Sequence, residues 1–194
     1  MWSFFAEMTS LSLGSIVGRG DLIRKIRIPR WIIIVSSSVT AVINLGLNLL
    51  VVLVFLLLND VNVTRSIVLL PLTLIQLYLF SLGVSLILAT AFVKYRDVTH
   101  IWEVALQGLF YLTPILYPLS IIVSPLFQKL LLISPIASAI QNARYVTITK
   151  ETITVSQVFS SVWAQLIPLV ITIAVLIFGV LYFKKEAKNF AEDL

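Results

Sequence analysis

Four long runs of the sequence carry no charged residue, and they restrict the possible folds more than any other feature. They cover residues 31–59, 66–93, 104–128 and 152–183. A helix needs about 20 apolar residues to cross roughly 30 Å of hydrocarbon, so each run is long enough. In lipid every backbone amide must be satisfied within the chain, and continuous apolar runs do not fit the alternation of a barrel strand. The pattern therefore predicts membrane-spanning helices.

The composition agrees with a lipid bilayer as the solvent. Of the 194 residues, 59% are hydrophobic and 12% are charged, against about 25% charged residues in a soluble domain. The absence of cysteine and the single histidine exclude disulfides, thiolate metal sites and histidine-rich metal sites. The net charge of +5 lies in short segments between apolar runs. We therefore interpret it as a topology signal, and no nucleic-acid partner is expected.

The third run does not fit a regular lipid-facing helix. Pro114, Pro118 and Pro125 fall within it, and each removes a helical hydrogen bond and disfavours helix in the residue before it. Irregular backbone at membrane depth is tolerated where it is buried in protein or lines a water-filled cavity. We therefore predict a span over about 101–117, followed by short re-entrant or interfacial helices over 118–156.

Together these patterns predict a single all-α transmembrane domain over residues 1–194, built as a polytopic helical bundle. Residues 1–18 contain Trp2, Phe4 and Phe5 and predict a partial helix, which is either interfacial or the end of a membrane helix whose beginning is missing. Four full spans follow, with a basic segment before the first and a charged tail after the last. The predicted spans are 31–59, 66–93, 101–117 and 157–183, and the flanking segments are 19–30 and 184–194.

The Lys and Arg residues favour one orientation. Ten of the 14 lie in segment 19–30, at Lys94 and Arg96, and in the tail. Four spans would place these three segments on one side of the membrane. Because positive charge is retained in the cytoplasm, that side is predicted to be cytoplasmic, with a cytoplasmic C-terminus and an outer 118–156 segment.

Small and polar residues inside the spans have two interpretations. Asn44 and Asn48 share a helix face, and Ser81, Gly83 and Ser85 are small. Such residues usually mark the side of a membrane helix that meets another helix. Lining an aqueous path is the alternative.

Three stretches together resemble one family. Residues 2–38 contain WSFF and the block DLIRK…PR, residues 94–118 contain the block RD…H…Q..FYL.PI.YP, and the chain ends in YFKKEAKNFAEDL. In this order they resemble the type-2 ABC exporter permeases of the polysaccharide group, which serve O-antigen, capsule and teichoic acid export. Family members usually begin with an amphipathic cytoplasmic helix and a full span before the WSFF-like stretch, so the chain resembles an N-terminally truncated permease.

The resemblance implies a non-enzymatic transport subunit of the bacterial or archaeal cytoplasmic membrane. It implies a homodimer with a second permease copy, a separate ABC ATPase that uses ATP and Mg²⁺, and a lipid-linked glycan moving between the two permeases. This chain lacks a GxxxxGK[ST] phosphate loop, so ATP must be hydrolysed elsewhere. No cofactor is expected in this chain. The implied ATPase-coupling residues are Arg24, Lys25, Arg27, Arg30, Lys94, Arg96 and Asp97, and the implied channel residues are Phe110, Tyr111, Pro114 and Tyr117.

Alternatives remain for the sites and for the function. Asp97 is equally suited to capping the next helix, and the aromatic residues are also typical of an interfacial belt. Asp97, His100 and Glu103 share a helix face, but about 9 Å of helix separates the first from the last, too far for all three to bind one ion. A drug or lipid exporter, a membrane enzyme of glycan assembly and a scaffold are the competing functions.

Overall fold

The regular secondary structure of the described residues is entirely helical. The computed structural model describes residues 1–19, 29–59, 65–148, 150–159, 161–187 and 190, with only the backbone at 65 and 66. Within these residues there are nine α-helices and no strand, so the predicted all-α fold is confirmed. The helices are α1 (Trp2–Leu13), α2 (Trp31–Leu58), α3 (Leu70–Lys94), α4 (Val98–Leu112), α5 (Pro125–Ile133), α6 (Pro135–Thr147), α7 (Val155–Val158), α8 (Val162–Gln165) and α9 (Ile167–Glu186).

Among the described residues, three helices are long and apolar enough to cross a membrane. They are Trp31–Leu58, Ile67–Lys94, which includes a short 3₁₀ turn before α3, and Ile167–Glu186. The first two match the predicted runs closely. The third begins at Ile167, whereas the prediction began at 157, because the preceding residues form the separate short helices α7 and α8.

The predicted span over 101–117 corresponds to a shorter helix. Helix α4 has 15 residues, which amounts to about 22 Å. It ends at Leu112 because Thr113 is extended, with φ −79° and ψ 132°, as expected for the residue before a proline. The next four residues form bends and turns. A complete membrane crossing by this segment therefore stays a prediction.

Helix α1 lies inside the bundle. Its side chains Phe4, Phe5 and Met8 are almost fully buried and form a core cluster with Leu77 of α3 and Ile136 of α6. The indole nitrogen of Trp102 in α4 donates a hydrogen bond of 3.1 Å to the Thr9 hydroxyl. The Asn44 side chain of α2 donates to the Glu7 carboxylate. These contacts favour a bundle helix over an interfacial helix for the start of the chain.

Helix α6 returns into the bundle from the end opposite to the α3–α4 turn. Its residues 135–141 are all buried, and it packs on α3 and on the α1 core. Helix α5 precedes it and is largely exposed, with Leu132 as its one buried side chain. The expected short helices after α4 are therefore present, and one of them is an internal part of the bundle.

Helices α3 and α9 meet through glycine. The small residues Ser81, Gly83 and Ser85 are buried, as expected for helix packing. A Cβ atom on Gly179 would lie 2.5 Å from the Gly83 carbonyl oxygen, and a Cβ on Gly83 would lie 2.8 Å from the Leu176 Cα. The two backbones are therefore in direct contact, a geometry that small residues permit in membrane bundles.

We expect Gly179→Ala to destabilise the folded protein by about 1–3 kcal/mol, because the new methyl group would overlap the backbone of α3. Thermal unfolding in detergent measures this as a lower midpoint. Gly46→Ala in α2 is the matched control, since a Cβ there meets no atom within 4 Å. Equal midpoints for the two variants would contradict the close contact.

Candidate functional site

The basic segments of the described chain gather at one end of the bundle. A buried cluster at this end joins the residues after α1, the start of α2, the end of α3, the end of α9 and Phe190. The cluster consists of Ile16, Ile34, Leu86, Ala89, Val93, Phe183 and Phe190. Lys94 follows Val93, and Lys184 follows Phe183. We call this the basic end, and it agrees with the predicted placement of these segments on one side.

The first basic segment is described only at its borders. Arg24, Lys25 and Arg27 lie outside the described residues. Arg19 donates a hydrogen bond of 2.8 Å to the Ser36 hydroxyl of α2. The Arg30 guanidinium lies over the Phe190 ring, 5.9 Å from its centroid. The start of α2 is thus connected both to the residues after α1 and to the chain after α9.

The second predicted segment forms an exposed turn between α3 and α4. Lys94, Arg96 and Asp97 are all exposed. The Lys94 ammonium lies 6.0 Å from the Tyr95 ring centroid, and the Arg96 guanidinium lies 5.3 Å from the Phe92 ring centroid. Both cations therefore stay at the surface of the basic end, held by neighbouring aromatic rings.

Asp97 occupies the N-cap position of α4, but its side chain makes no capping hydrogen bond. The Asp97 carboxylate therefore does not cap α4 in the structure. His100 and Glu103 form a loose pair of 3.7 Å at the surface. In the part of the chain that the structure describes, no group of three His, Asp or Glu residues is arranged to bind a metal ion. The turn thus offers exposed charge of both signs.

Two predicted channel residues, Phe110 and Tyr111, lie near the far end of α4. The Phe110 ring packs edge-on against Trp2 of α1 at 5.7 Å and against Tyr111 at 5.5 Å, measured between ring centroids. Tyr111 is 72% exposed. Phe110 therefore faces the protein, whereas the Tyr111 side chain extends away from it.

Helix α4 presents an unpartnered apolar face. Ile101, Val104 and Tyr111 are spaced so that they share one helix face with Gly108, and all four are exposed. Every residue of α4 is described, and none of its side chains is buried. We call these four residues the α4 stripe. It runs from the exposed turn at the basic end toward the proline-broken segment.

The other two predicted channel residues hold the broken segment in place. Pro114 is buried, and its carbonyl oxygen accepts a hydrogen bond of 3.2 Å from the Gln141 side chain of α6. The Tyr117 hydroxyl donates to the Leu112 carbonyl oxygen at 3.1 Å. Pro114 thus connects the broken segment to α6, and Tyr117 connects it to the end of α4.

Gln141 and Arg144 are site residues that the sequence analysis did not assign to this segment. Arg144 donates a hydrogen bond of 3.0 Å to the Ile115 carbonyl oxygen. Both residues lie on one face of α6, three positions apart. The sequence signal for this role is the pair of long polar side chains, three positions apart, that follows the proline-broken segment. Prolines leave backbone carbonyl groups without helical donors, and such side chains can supply the missing donors.

Comparison with known proteins supplies the context for this geometry. The family model described as ABC-2 type transporter matches residues 1–148. The O-antigen export system permease protein RfbA of Myxococcus xanthus is 33% identical over 138 residues, which cover 71% of this chain and 53% of that protein. A protein of the same name from Klebsiella pneumoniae is 30% identical over 144 residues, which cover 74% of this chain and 55% of that protein.

The chain thus spans about half the length of the curated relatives it matches. The family match extends from α1 through α6 and includes the exposed turn, the α4 stripe and the broken segment. The three apolar helices of crossing length among the described residues agree with a multi-pass membrane protein. The chain belongs to the ABC-2 type transporter family.

Proposed function

We propose that the chain is the membrane-spanning subunit of an ATP-driven exporter that moves a lipid-linked polysaccharide, or a related cell-surface glycan, across the cytoplasmic membrane. The relatives named for O-antigen export support this class of cargo. The observation that carries the proposal is the exposed turn Lys94–Asp97 at the basic end. A transport subunit that does not hydrolyse ATP itself needs such a surface to receive force from an ATPase.

The proposed orientation places the basic end in the cytoplasm. The retention of Lys and Arg on the cytoplasmic side supports it, since Arg19, Arg30, Lys94 and Lys184 gather there. The opposite end, with the α5–α6 hairpin and Lys150, then faces outward. The C-terminus is cytoplasmic in this arrangement.

Single cysteines will report this orientation, because the chain contains none of its own. We expect Lys94→Cys and Lys184→Cys to resist a membrane-impermeant maleimide in intact cells and to react after permeabilisation. Lys150→Cys, which is exposed near the other end, should react without permeabilisation. Labelling of Lys94→Cys and Lys184→Cys from opposite sides would contradict the shared basic end.

In the proposed mechanism, the turn between α3 and α4 docks on a cytoplasmic ABC ATPase. Arg96 and Asp97 supply charge of both signs. Arg24, Lys25, Arg27 and Arg30 are the further coupling residues that the resemblance implies, and the first three lie outside the described residues. Closure of the ATPase would displace this turn. Because α4 begins at the turn and has no buried side chain, a displacement would pass along α4 to Phe110 and Tyr111.

We expect Arg96→Ala and Asp97→Ala each to weaken ATPase association about thirtyfold or more, because truncating one partner of a docked charge pair costs about 2–5 kcal/mol. Co-purification with the ATPase and permease-stimulated ATP hydrolysis measure the effect. Lys150→Ala, at the other end, is the control. Unchanged association and stimulation for both turn variants would remove the coupling role, provided that their thermal unfolding is unchanged.

We further propose that two copies of the chain pair around the export path, with the α4 stripes facing each other. The homodimer that the resemblance implies supports this pairing. Helix α4 contacts α1 through Trp102 and Phe110, which leaves its stripe exposed and available to a second copy. Tyr111 would then border the path, where its flat ring suits packing against sugar rings. Pro114 and Tyr117 would shape the outer end by fixing the broken segment.

This pairing predicts a specific cross-link. Val104→Cys in membranes is expected to form an intermolecular disulfide when a mild oxidant is added, or a cross-link with a bismaleimide, since opposing stripes bring the two copies together. Val170→Cys in α9 is the matched control, because Val170 has a similar exposure, 61% against 69%, on a different helix. Equal cross-linking at both positions, or none at Val104, would contradict pairing through α4.

A further inference from the structure

An apolar cavity opens at the basic end, away from the α4 stripe. It has a volume of about 560 Å³ and lies between α2, α3 and α9, within the range of about 300–1,000 Å³ that holds small-molecule ligands. Its walls include Val35, Leu82, Leu86, Val180 and Phe183. A cavity with such walls suits a hydrocarbon chain better than water, which needs polar partners.

Two cations stand at this cavity. Arg30 precedes the first turn of α2, and Lys184 lies in the last turn of α9, and both line the opening. No acidic residue is among the described residues that line it. The amino end of the 28-residue helix α2 adds partial positive charge at the same place, and the carboxyl end of α9 adds partial negative charge, so the two side-chain cations decide the sign of the rim. The rim therefore favours an anion, while the interior favours hydrocarbon.

An aromatic residue places the rim at the level of lipid headgroups. Trp31 lines the cavity and is 53% exposed, and tryptophan is enriched at the boundary between hydrocarbon and headgroups. The outward side chains of α2 and α9, such as Ile32 and Leu181, are apolar and exposed. In a bilayer these surfaces face acyl chains, so the cavity opens toward lipid.

We propose that this cavity binds one anionic phospholipid of the surrounding bilayer. One acyl chain lies against the apolar walls, and the phosphate group binds between Arg30 and Lys184. A lipid-linked glycan carrier also joins a phosphate to a hydrocarbon chain. The bilayer phospholipid is the favoured occupant because no residue of α1 or α4 lines the cavity, so it is separate from the proposed export path.

A bound lipid would connect the start of α2 with the end of α9. Arg30 already lies over Phe190, and Phe190 packs edge-on against Phe183 in the cavity wall, with 5.5 Å between ring centroids. The lipid would thus complete a contact between the two helix ends that border the proposed coupling surface. The proposed lipid site depends on the membrane location of the chain. It does not depend on which cargo is exported.

The test compares two lipids with identical acyl chains. Native mass spectrometry of the full chain in detergent would measure binding of dioleoyl phosphatidylglycerol and of dioleoyl phosphatidylethanolamine. We expect the former to bind with at least tenfold preference, and Arg30→Gln with Lys184→Gln to remove that preference. Each cation near a lipid surface contributes about 1 kcal/mol, or roughly fivefold in affinity. Lys185→Gln, one residue along and absent from the lining, is the control and should retain the preference.

A second variant tests the cavity without changing charge. Val180→Trp would fill the interior, and we expect it to reduce phosphatidylglycerol binding at least fivefold while Arg30 and Lys184 remain.

Brominated phosphatidylglycerol should quench the fluorescence of Trp31, with Trp31→Phe as the reference. Equal binding of the two phospholipids by the unaltered chain would overturn the proposal. Displacement by undecaprenyl phosphate at lower concentration than phosphatidylglycerol would overturn the assignment to a bilayer phospholipid.

Discussion

The arrangement of this protein depends on the need to satisfy every backbone polar group where water is absent. Three long helices meet this requirement internally. The segment after α4 does not, because its prolines interrupt helical hydrogen bonding. Its Pro114 and Ile115 carbonyl groups instead accept hydrogen bonds from Gln141 and Arg144. The Tyr117 hydroxyl, within the segment, donates to the carbonyl group of Leu112 at the end of α4. The donors on α6 must lie close by, so α6 is drawn into the bundle against α1 and α3. The irregular segment and the buried short helix are therefore two consequences of one constraint.

The sequence predicted the long elements well because charge-free length is a direct measure of solvation by lipid. Trp31–Leu58 and Ile67–Lys94 agree with the predicted runs to within a residue. The predictions were weaker where a run without charge contains several elements. Nothing in hydropathy separates α7 and α8 from α9, and Pro114 shortens α4 through backbone sterics that a count of apolar residues does not include.

In the candidate site, too, some features could be predicted from the sequence and others could not. From the sequence, the parity of four predicted spans and the charge distribution predict that the basic segments share one side. The roles of single side chains depended on tertiary contacts. Asp97 stands at the expected cap position without capping, and Phe110 and Tyr111 are neighbours that face opposite ways. Glu7 and Asn44 meet across two helices although 37 positions separate them in the chain. Such pairings require the packing of α1 and α2, which no local pattern encodes.

Because α4 has no buried side chain, selection for fold stability and selection for what the exposed face of α4 contacts act on different residues. Substitutions in a helix core change the stability of the fold, so most cores accept few of them. The outward positions Ile101, Val104 and Tyr111 contribute little to the internal packing of one chain. Natural variation there can alter what the helix meets while the energetic balance of folding stays nearly constant. A family built on this arrangement can vary the exposed face of this helix on an unchanged architecture.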